Sequence, residues 1–382
     1  MARDDLVIVQ LDAVHLQGDT VTLSSKTLQA LELYARQWPG RVVVSAVAKQ
    51  LPASALLTRR RLADLPFDVV DRARIDVRSL RTGAGAALAM HDVHDPGEVS
   101  FEPRRLVLYG EFTLAERIRM ASIGAGRAGA LRATASWRWK GRALHRMVRA
   151  AGGFQANGYP AHDEYAAGSV SPLLYFDTRV TEEILAESDA RAVEDGAHRA
   201  AEPFTLGFSG RHTAAKGTDH ALEAVLRLLE AGADLRLVLF GSGDLTSSLQ
   251  ERAAPFRERI EFRGDVDFAS TWVREVPRTV DLMLLPHIQG DPSGTYLESA
   301  ALGVPVLGFD NTALDALVRH HGIGWTVPLG DTRALAATAR TLMDRPEALA
   351  AAGEAGRTLM RDHTFETEFG RRIAHLREVA GL

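Results

Sequence analysis

The sequence predicts an α/β protein built of two Rossmann-like domains. Three observations carry that prediction: a length of 382 residues, short apolar runs alternating with amphipathic stretches, and a sharpening of the alternation from Phe204 onward. A single core rarely grows beyond roughly 250 to 300 residues, so a chain this long calls for two. Short apolar runs separated by helical periodicity give β-α-β units, and hence a parallel sheet covered by helices.

Taken in order, residues 6–9 read as a strand, 28–35 as a helix and 42–47 as a second strand. Residues 67–70 and 106–109 are further strands, the glycine- and alanine-rich stretch 82–90 is helix or loop, and 153–160 looks like the last strand and turn of this half. From 182 to 203 the chain turns charged and alanine-rich, which suits a surface helix followed by a linker, with the boundary near Ala200. In the second half, strand 204–208 leads into helix 218–231. There Ala221, Leu222, Val225, Leu228 and Leu229 form an apolar stripe, Thr218 can cap the start, and Gly232 sits where a C-cap is expected. Strands follow at 235–240, 260–262, 282–285, 304–307 and 325–327, with helices around 296–302 and 332–343. Residues 364–379 read as an amphipathic helix carrying Phe365, Phe369, Ile373 and Leu376. The expected domains are 1–200 and 201–363, followed by a terminal helix over 364–382.

Composition narrows the function classes. Hydrophobic residues make up 46%, charged residues 25% and aromatics 7%, ordinary values for a globular enzyme. A net charge of −4 supplies no global drive toward nucleic acid. The absence of cysteine excludes disulfides, zinc fingers, iron–sulfur clusters and thiol nucleophiles. Asp4 and Asp5 precede the first apolar run, unlike a signal peptide, and no window is apolar enough to span a bilayer, so the expected location is the cytoplasm. His91-Asp92-Val93-His94-Asp95 groups possible metal ligands, but without a ligand framework it reads as a solvated loop, and no metal is expected. Gly241-Ser242-Gly243-Asp244 follows a strand, yet Thr246 stands where a third glycine would fall, so a dinucleotide site is not expected.

Two stretches carry chemistry. Ser209-Gly210-Arg211-His212-Thr213-Ala214-Ala215-Lys216-Gly217 is a small-residue turn with two cations just before a helix. Backbone N–H groups, the helix dipole and the charges of Arg211 and Lys216 together suit a diphosphate without a metal. Two exposed cations flanking an ordinary loop would look the same. In the second stretch, Asp291-Pro292-Ser293-Gly294-Thr295-Tyr296-Leu297-Glu298, a turn opens a short helix holding a carboxylate. Ligands in open α/β sheets bind outside the carboxyl ends of the strands, where the two stretches can converge. Glu298 could accept from the vicinal hydroxyls of a ribose, or merely pair with a surface arginine.

In order and spacing, Gly210-Arg211, Lys216-Gly217, Gly241-Ser242-Gly243, Phe262-Arg263-Gly264, Leu284-Leu285-Pro286 and the run from Leu297-Glu298-Ser299-Ala300 through Gly303-Val304-Pro305-Val306 resemble the donor domain of the large retaining GT-B glycosyltransferase family with the Glu-x7-Glu motif, the family 4-like enzymes. The N-terminal half shares only the β-α rhythm. The resemblance implies a GT-B fold, two Rossmann-like domains facing a central cleft, with the C-terminal helix crossing back to the first. Arg211 and Lys216 would bind the donor diphosphate, with Gly210 in the same loop, and would help it depart. Arg263 would frame the base, Ser293, Gly294, Thr295 and Tyr296 would form the sugar-side turn, and Glu298 would hold the ribose. No cofactor is implied beyond the donor itself, a UDP-sugar or GDP-sugar. The family's first Glu falls here at Gly290, with Asp291 beside it, so either Asp291 substitutes or the turn holds the sugar differently. The family's N-terminal Gly-Gly loop is absent, and Gly18, in His15-Leu16-Gln17-Gly18, is its nearest counterpart. Near the anomeric carbon, Glu111 is the first candidate and His15 the second.

Positions 117 to 162 contain no acid, while Arg117, Arg119, Arg127, Arg132, Arg138, Lys140, Arg142, Arg146 and Arg149 fall within them, interleaved with Trp137 and Trp139. Such a segment fits an anionic membrane surface or a phosphorylated acceptor, or is simply a solvated helix face. The expected function is retaining transfer of a hexose from a nucleotide-sugar to a hydroxyl of a glycan, glycolipid or small-molecule acceptor, at the inner face of the membrane if the basic segment docks there. The rival readings are an epimerase or hydrolase on the same fold and a catalytically impaired nucleotide-sugar-binding subunit.

Overall fold

The computed structural model describes residues 4–9, 14–50, 57–71, 85–92, 103–122, 126–194 and 203–382. The chain divides into two compact units, Met1–Phe176 with Thr367–Leu382, and Asp177–Glu366. The boundary expected near Ala200 lies outside the described residues, as do Val93, His94 and Asp95.

The first unit is built on strands β1 (Leu6–Val9), β4 (Val42–Ala46), β6 (Asp68–Asp71), β7 (Ala86–Met90), β8 (Leu106–Gly110), β9 (Gly153–Asn157) and β10 (Pro172–Tyr175), in the order β10-β9-β8-β7-β1-β4-β6. Every pairing is parallel. β1 and β4 are buried along their whole length, as a parallel sheet covered on both faces requires. Two readings of this half are corrected. The stretch that read as helix or loop contains β7, where Ala86, Ala87 and Ala89 are buried between two partner strands, so pairing overrides the low strand preference of alanine. Nor is Gly153–Asn157 the last strand: the helix Tyr159–Tyr165 and then β10 follow it. Pro172 hid β10 from the sequence pattern, but it is the first residue of an edge strand, where a missing N–H costs nothing.

A small antiparallel sheet joins β2 (His15–Gln17), β3 (Thr20–Ser24) and β5 (Leu57–Arg61). Gly18 forms the β2–β3 turn with φ +60°, so its left-handed backbone belongs to a hairpin. The terminal helix Phe365–Ala380 lies in the first unit from Thr367 onward. There Gln155 Nε2 donates to the Arg372 carbonyl at 2.9 Å, Arg372 Nε donates back to Gln155 Oε1 at 2.8 Å, and the guanidinium lies 4.2 Å from the Tyr175 ring centroid.

The second unit carries β11 (Phe204–Ser209), β12 (Leu235–Phe240), β13 (Ile260–Gly264), β14 (Leu282–Leu285), β15 (Val306–Phe309) and β16 (Gly324–Val327). Their order, β13-β12-β11-β14-β15-β16, with every pairing parallel, is the 3-2-1-4-5-6 order of a Rossmann sheet. The order reverses between β11 and β14, the topological switch point at whose carboxyl ends such sheets bind ligands. The apolar stripe of helix Thr218–Glu230 packs on the sheet through Ala221, Leu222, Val225 and Leu228. Gly217 rather than Thr218 is its N-cap, while Gly232 follows its last turn with φ +81°. Helices Thr312–His321 and Pro346–Arg361 complete the unit and had no counterpart in the sequence reading.

Candidate functional site

The loop leaving β11 runs through Gly210 and an exposed Arg211 to a tight turn, Ala214–Lys216, and Gly217. It is stitched to the neighbouring loop by His212 N donating to Ser242 O at 2.9 Å and Leu245 N to His212 O at 3.0 Å. Gly241 and Gly243 therefore serve close packing: a Cβ at Gly241 would meet the Gly210 carbonyl oxygen at 2.1 Å. The His212 ring is buried, with Nδ1 bonded to Thr246 Oγ1 at 2.9 Å, and burial lowers its pKa. Arg211 has no side-chain partner among the described residues.

On its other side the same loop meets the chain leaving β14. Ile288 N and Gln289 N both donate to Ala215 O, at 3.0 and 3.2 Å, and Lys216 Nζ donates to Asp291 Oδ2 at 3.1 Å. Lys216 is 12% exposed and Asp291 20%, so the pair is largely withdrawn from water. The His287 ring lies fully buried nearby, its pKa held well below the ordinary value by burial first and by the Lys216 charge second. It is neutral and leaves the Lys216–Asp291 pair as the local charges. Tyr296, read as a ligand contact, is wholly buried; Asn311 Nδ2 donates to its hydroxyl at 3.0 Å and to the His287 carbonyl at 3.1 Å. Its place in the structure is to brace the 287 loop.

Helix Gly294–Ala301 starts three residues after Asp291, and Glu298 stands one turn into it. Ser293 is its N-cap, without a side-chain cap bond; Tyr296 N donates to the Ser293 carbonyl at 3.1 Å, and the amides of Gly294 and Thr295 lack intrahelical acceptors. Glu298 is buried and pairs with an arginine, as the bland reading had it. The partner is Arg179, only 34% exposed and part of no sequence motif: Nε lies 2.7 Å from Oε1 and Nη2 3.2 Å from Oε2. Arg263, expected near a base, has its guanidinium engaged by Glu261 at 3.1 Å and Glu275 at 2.7 Å. Gly290, at the position of the family's first Glu, is buried, and no carboxylate stands there.

In the first unit, Glu111 follows β8 and its Oε2 accepts from Asn157 Nδ2 at 3.2 Å, at the carboxyl ends of adjacent strands. His15 lies on the separate hairpin. His91 is a core residue: Nε2 contacts the Leu144 carbonyl at 3.1 Å, the ring packs edge-on against Phe154 and Tyr165, and burial pushes its pKa down to about 4. No group of three metal-ligating side chains occurs among the described residues.

The basic segment divides in two. Arg117 and Arg119 turn inward: Arg117 Nη2 donates to the His91 carbonyl at 2.7 Å, and Arg119 pairs with Glu116, so neither belongs to an exposed basic face. The remainder is one helix, Arg127–Ala150, exposing Arg127, Arg132, Arg138, Arg142, Arg146 and Arg149 with Leu131 at 72% and Trp139 at 71%. No helix among the described residues is long and apolar enough to cross a membrane.

Similarity in fold to known proteins spans both units, whereas the family match is confined to the second. The crystal structure of WaaG, a glycosyltransferase involved in lipopolysaccharide biosynthesis, matches with a TM-score of 0.64 over 97% of this chain and 99% of that one, at 12% identity. The fold is GT-B. Anabaena HepE, solved in complex with UDP-glucose, matches with a TM-score of 0.65 over 99% of this chain and 100% of that one, at 15% identity. Residues 203–345 match the family described as glycosyl transferases group 1, within the unit that holds Lys216 and Glu298. The phosphatidyl-myo-inositol mannosyltransferase of Mycobacterium leprae is 34% identical over 134 residues, a stretch that spans 35% of this chain and 35% of that protein.

Proposed function

We propose that the chain is a retaining glycosyltransferase that moves a hexose from a UDP- or GDP-sugar to a hydroxyl acceptor. The observation that carries this reading is the junction at the β11/β14 switch point, where Lys216 and Asp291 bond and the helix bearing Glu298 begins. A diphosphate at the Lys216 loop meets an ammonium, the Arg211 guanidinium and helix-start amides, groups suited to negative charge as it builds on a leaving phosphate. In the reaction the bond between C1 and the phosphate oxygen breaks, the acceptor oxygen bonds to C1 on the same face, and the acceptor proton passes to the departing phosphate. We assign the ribose to Glu298 and the acceptor hydroxyl to Glu111. Support comes from the group 1 match over the donor unit and from the UDP-glucose complex of HepE. Incubation with a panel of sugar nucleotides and hydroxyl acceptors tests it: a glycosylated acceptor supports the transferase, whereas donor hydrolysis that no acceptor diverts, a new sugar isomer or binding without any turnover refutes it.

The acceptor side reads as a lipid surface. Five arginines of the helix Arg127–Ala150, at 127, 132, 138, 142 and 149, have side chains without partners among the described residues, and the exposed Leu131 and Trp139 offer apolar anchors beside them. Near an anionic surface each cation contributes about 1 kcal/mol. Vesicles containing phosphatidylglycerol are expected to sediment the protein at low salt and release it at high salt. Binding to neutral vesicles with equal strength would contradict the electrostatic account.

A further inference from the structure

The small antiparallel sheet of the first unit has one face that its core does not use. Val21 and Leu23 of β3 are buried, so Thr20 and Thr22, which alternate with them, point to the opposite face. Register carries that face across all three strands: Thr22 stands opposite His15 of β2 and Arg59 of β5, and Thr20 stands opposite Gln17 and Arg61. Two rows result, His15-Thr22-Arg59 and Gln17-Thr20-Arg61, with no apolar side chain in either. A solvated sheet face would have the same polarity, but here the charges are not balanced. Arg59 Nε and Nη2 reach diagonally to Thr20 Oγ1, at 3.2 and 3.1 Å, so the guanidinium is held over the face by a hydroxyl, which brings no counter-charge. Thr20 Oγ1 is itself fixed by donating to the Gln17 carbonyl at 2.8 Å. Arg61 lies 3.5 Å from Asp19 in the hairpin turn, and Arg60 Nη1 donates to the Arg59 carbonyl at 3.2 Å. Three exposed arginines thus share one carboxylate among the described residues.

This face stands at the ligand-binding end of the unit. The chains leaving β1 and β4 run side by side there, with Val14 N donating to Val47 O at 3.0 Å and Lys49 N to Val14 O at 2.8 Å, and β2 begins at the next residue, His15. The hairpin is therefore fastened at the carboxyl ends of the parallel strands, where open α/β sheets take their ligands. Lys49 is exposed and adds a further cation beside β2. Glu111 leaves the carboxyl end of β8, two strands along from β1, or roughly 10 Å at the usual strand spacing.

We propose that this sheet face is an acceptor subsite for an anionic saccharide, one carrying a phosphate or a carboxylate. Arg59 and Arg61 take the charged group, and His15, Gln17 and Thr22 take hydroxyls around it. The proposal rests on the transferase reading above, with Glu111 at the acceptor hydroxyl. A guanidinium has five N–H donors, and the hydroxyl of Thr20 engages two of those on Arg59, so donors remain for the paired oxygens of a carboxylate or phosphate.

The test is ligand-observed NMR titration of the intact protein with glucose, glucose 6-phosphate and glucuronic acid at one ionic strength. It compares the wild type, the double variant Arg59→Gln/Arg61→Gln, and Arg138→Gln/Arg142→Gln on the basic helix, each checked for a cooperative thermal transition and for UDP and GDP binding. The wild type is expected to bind at least one of the two acidic sugars roughly tenfold or more tighter than glucose, the range set by a charge-assisted hydrogen bond, and the two sugars tell phosphate from carboxylate. In Arg59→Gln/Arg61→Gln that ratio should fall toward one while nucleotide affinity keeps its wild-type value. Equal affinity for all three sugars, or binding of none, overturns the proposal. So does a preference that survives in Arg59→Gln/Arg61→Gln, or one that is lost only in Arg138→Gln/Arg142→Gln, which places the anion on the helix. Loss of nucleotide affinity in Arg59→Gln/Arg61→Gln overturns it as well, since the arginines then serve the donor. A wild type that binds neither UDP nor GDP removes the transferase reading itself, whatever the sugars do.

Discussion

Replacing Gly217 with alanine should damage stability and donor binding together, because this glycine meets two demands. Its φ of +64° is the left-handed region, which costs an alanine roughly 1 to 2 kcal/mol. The second demand is space: a Cβ would lie 1.8 Å from the Pro286 carbonyl oxygen, at the start of the chain leaving β14. Carbon and oxygen settle at roughly 3.3 Å even in a favourable contact, so the two loops must part by roughly 1.5 Å. Overpacking of that kind adds about 1 to 3 kcal/mol, for a total of about 2 to 5 kcal/mol. Parting the loops also stretches the bonds from Ile288 and Gln289 to Ala215 and the Lys216–Asp291 pair, and a 1 Å misplacement in a site can cost about a hundredfold in rate. Gly232→Ala is the control, since Gly232 has φ +81° but nothing within 4 Å of its Cβ, so it carries the backbone cost alone. Urea denaturation of both variants, with and without UDP, reads the difference. Equal destabilisation in the two, with UDP protection unchanged in Gly217→Ala, would refute the claim that the loops meet at this point.

Other consequences can be checked independently. Asp291→Asn frees the Lys216 ammonium from its carboxylate, so UDP should bind tighter by up to about 1 kcal/mol, while transfer slows if Asp291 stands in for the family's first Glu; calorimetry and a transfer assay read the two effects apart. His91 is buried with its pKa lowered to about 4, so the unfolded chain binds the extra proton first and stability falls as pH drops through 6.5 toward 4. Between pH 7.5 and 5 this one group should remove about 2 kcal/mol, a loss that His91→Phe should escape when urea midpoints are compared at the two pH values.

The second unit was legible because its sequence repeats one device. Each strand is a short apolar run and each crossing is punctuated by glycine or a cap, and Lys216, Gly217, Asp291 and Glu298 sit at those punctuation points. What could not be read were the partners. Arg179 lies far from Glu298 in sequence, in a segment with no periodicity of its own, and nothing local marks it out. Tyr296 looked available because it follows a turn, yet the helix turns its ring inward, where Asn311 receives it. In the first unit β7 was obscured by alanines, whose strand state is imposed by neighbours on both sides, and β10 by the proline that opens it. The basic run was visible as composition, but only the fold separates Arg117, bonded to a core carbonyl, from the arginines of the exposed helix face.

The central claim is that one nucleoside diphosphate engages the cations of the β11 loop and the carboxylate of helix Gly294–Ala301 at once. Titration of UDP and GDP into the wild type, Arg211→Ala, Lys216→Ala and Glu298→Gln measures this most directly. The account predicts binding of at least one nucleotide by the wild type, and a loss of about 2 kcal/mol in each variant, as charge-assisted hydrogen bonds warrant. Unchanged affinity in the Arg211 and Lys216 variants would contradict it.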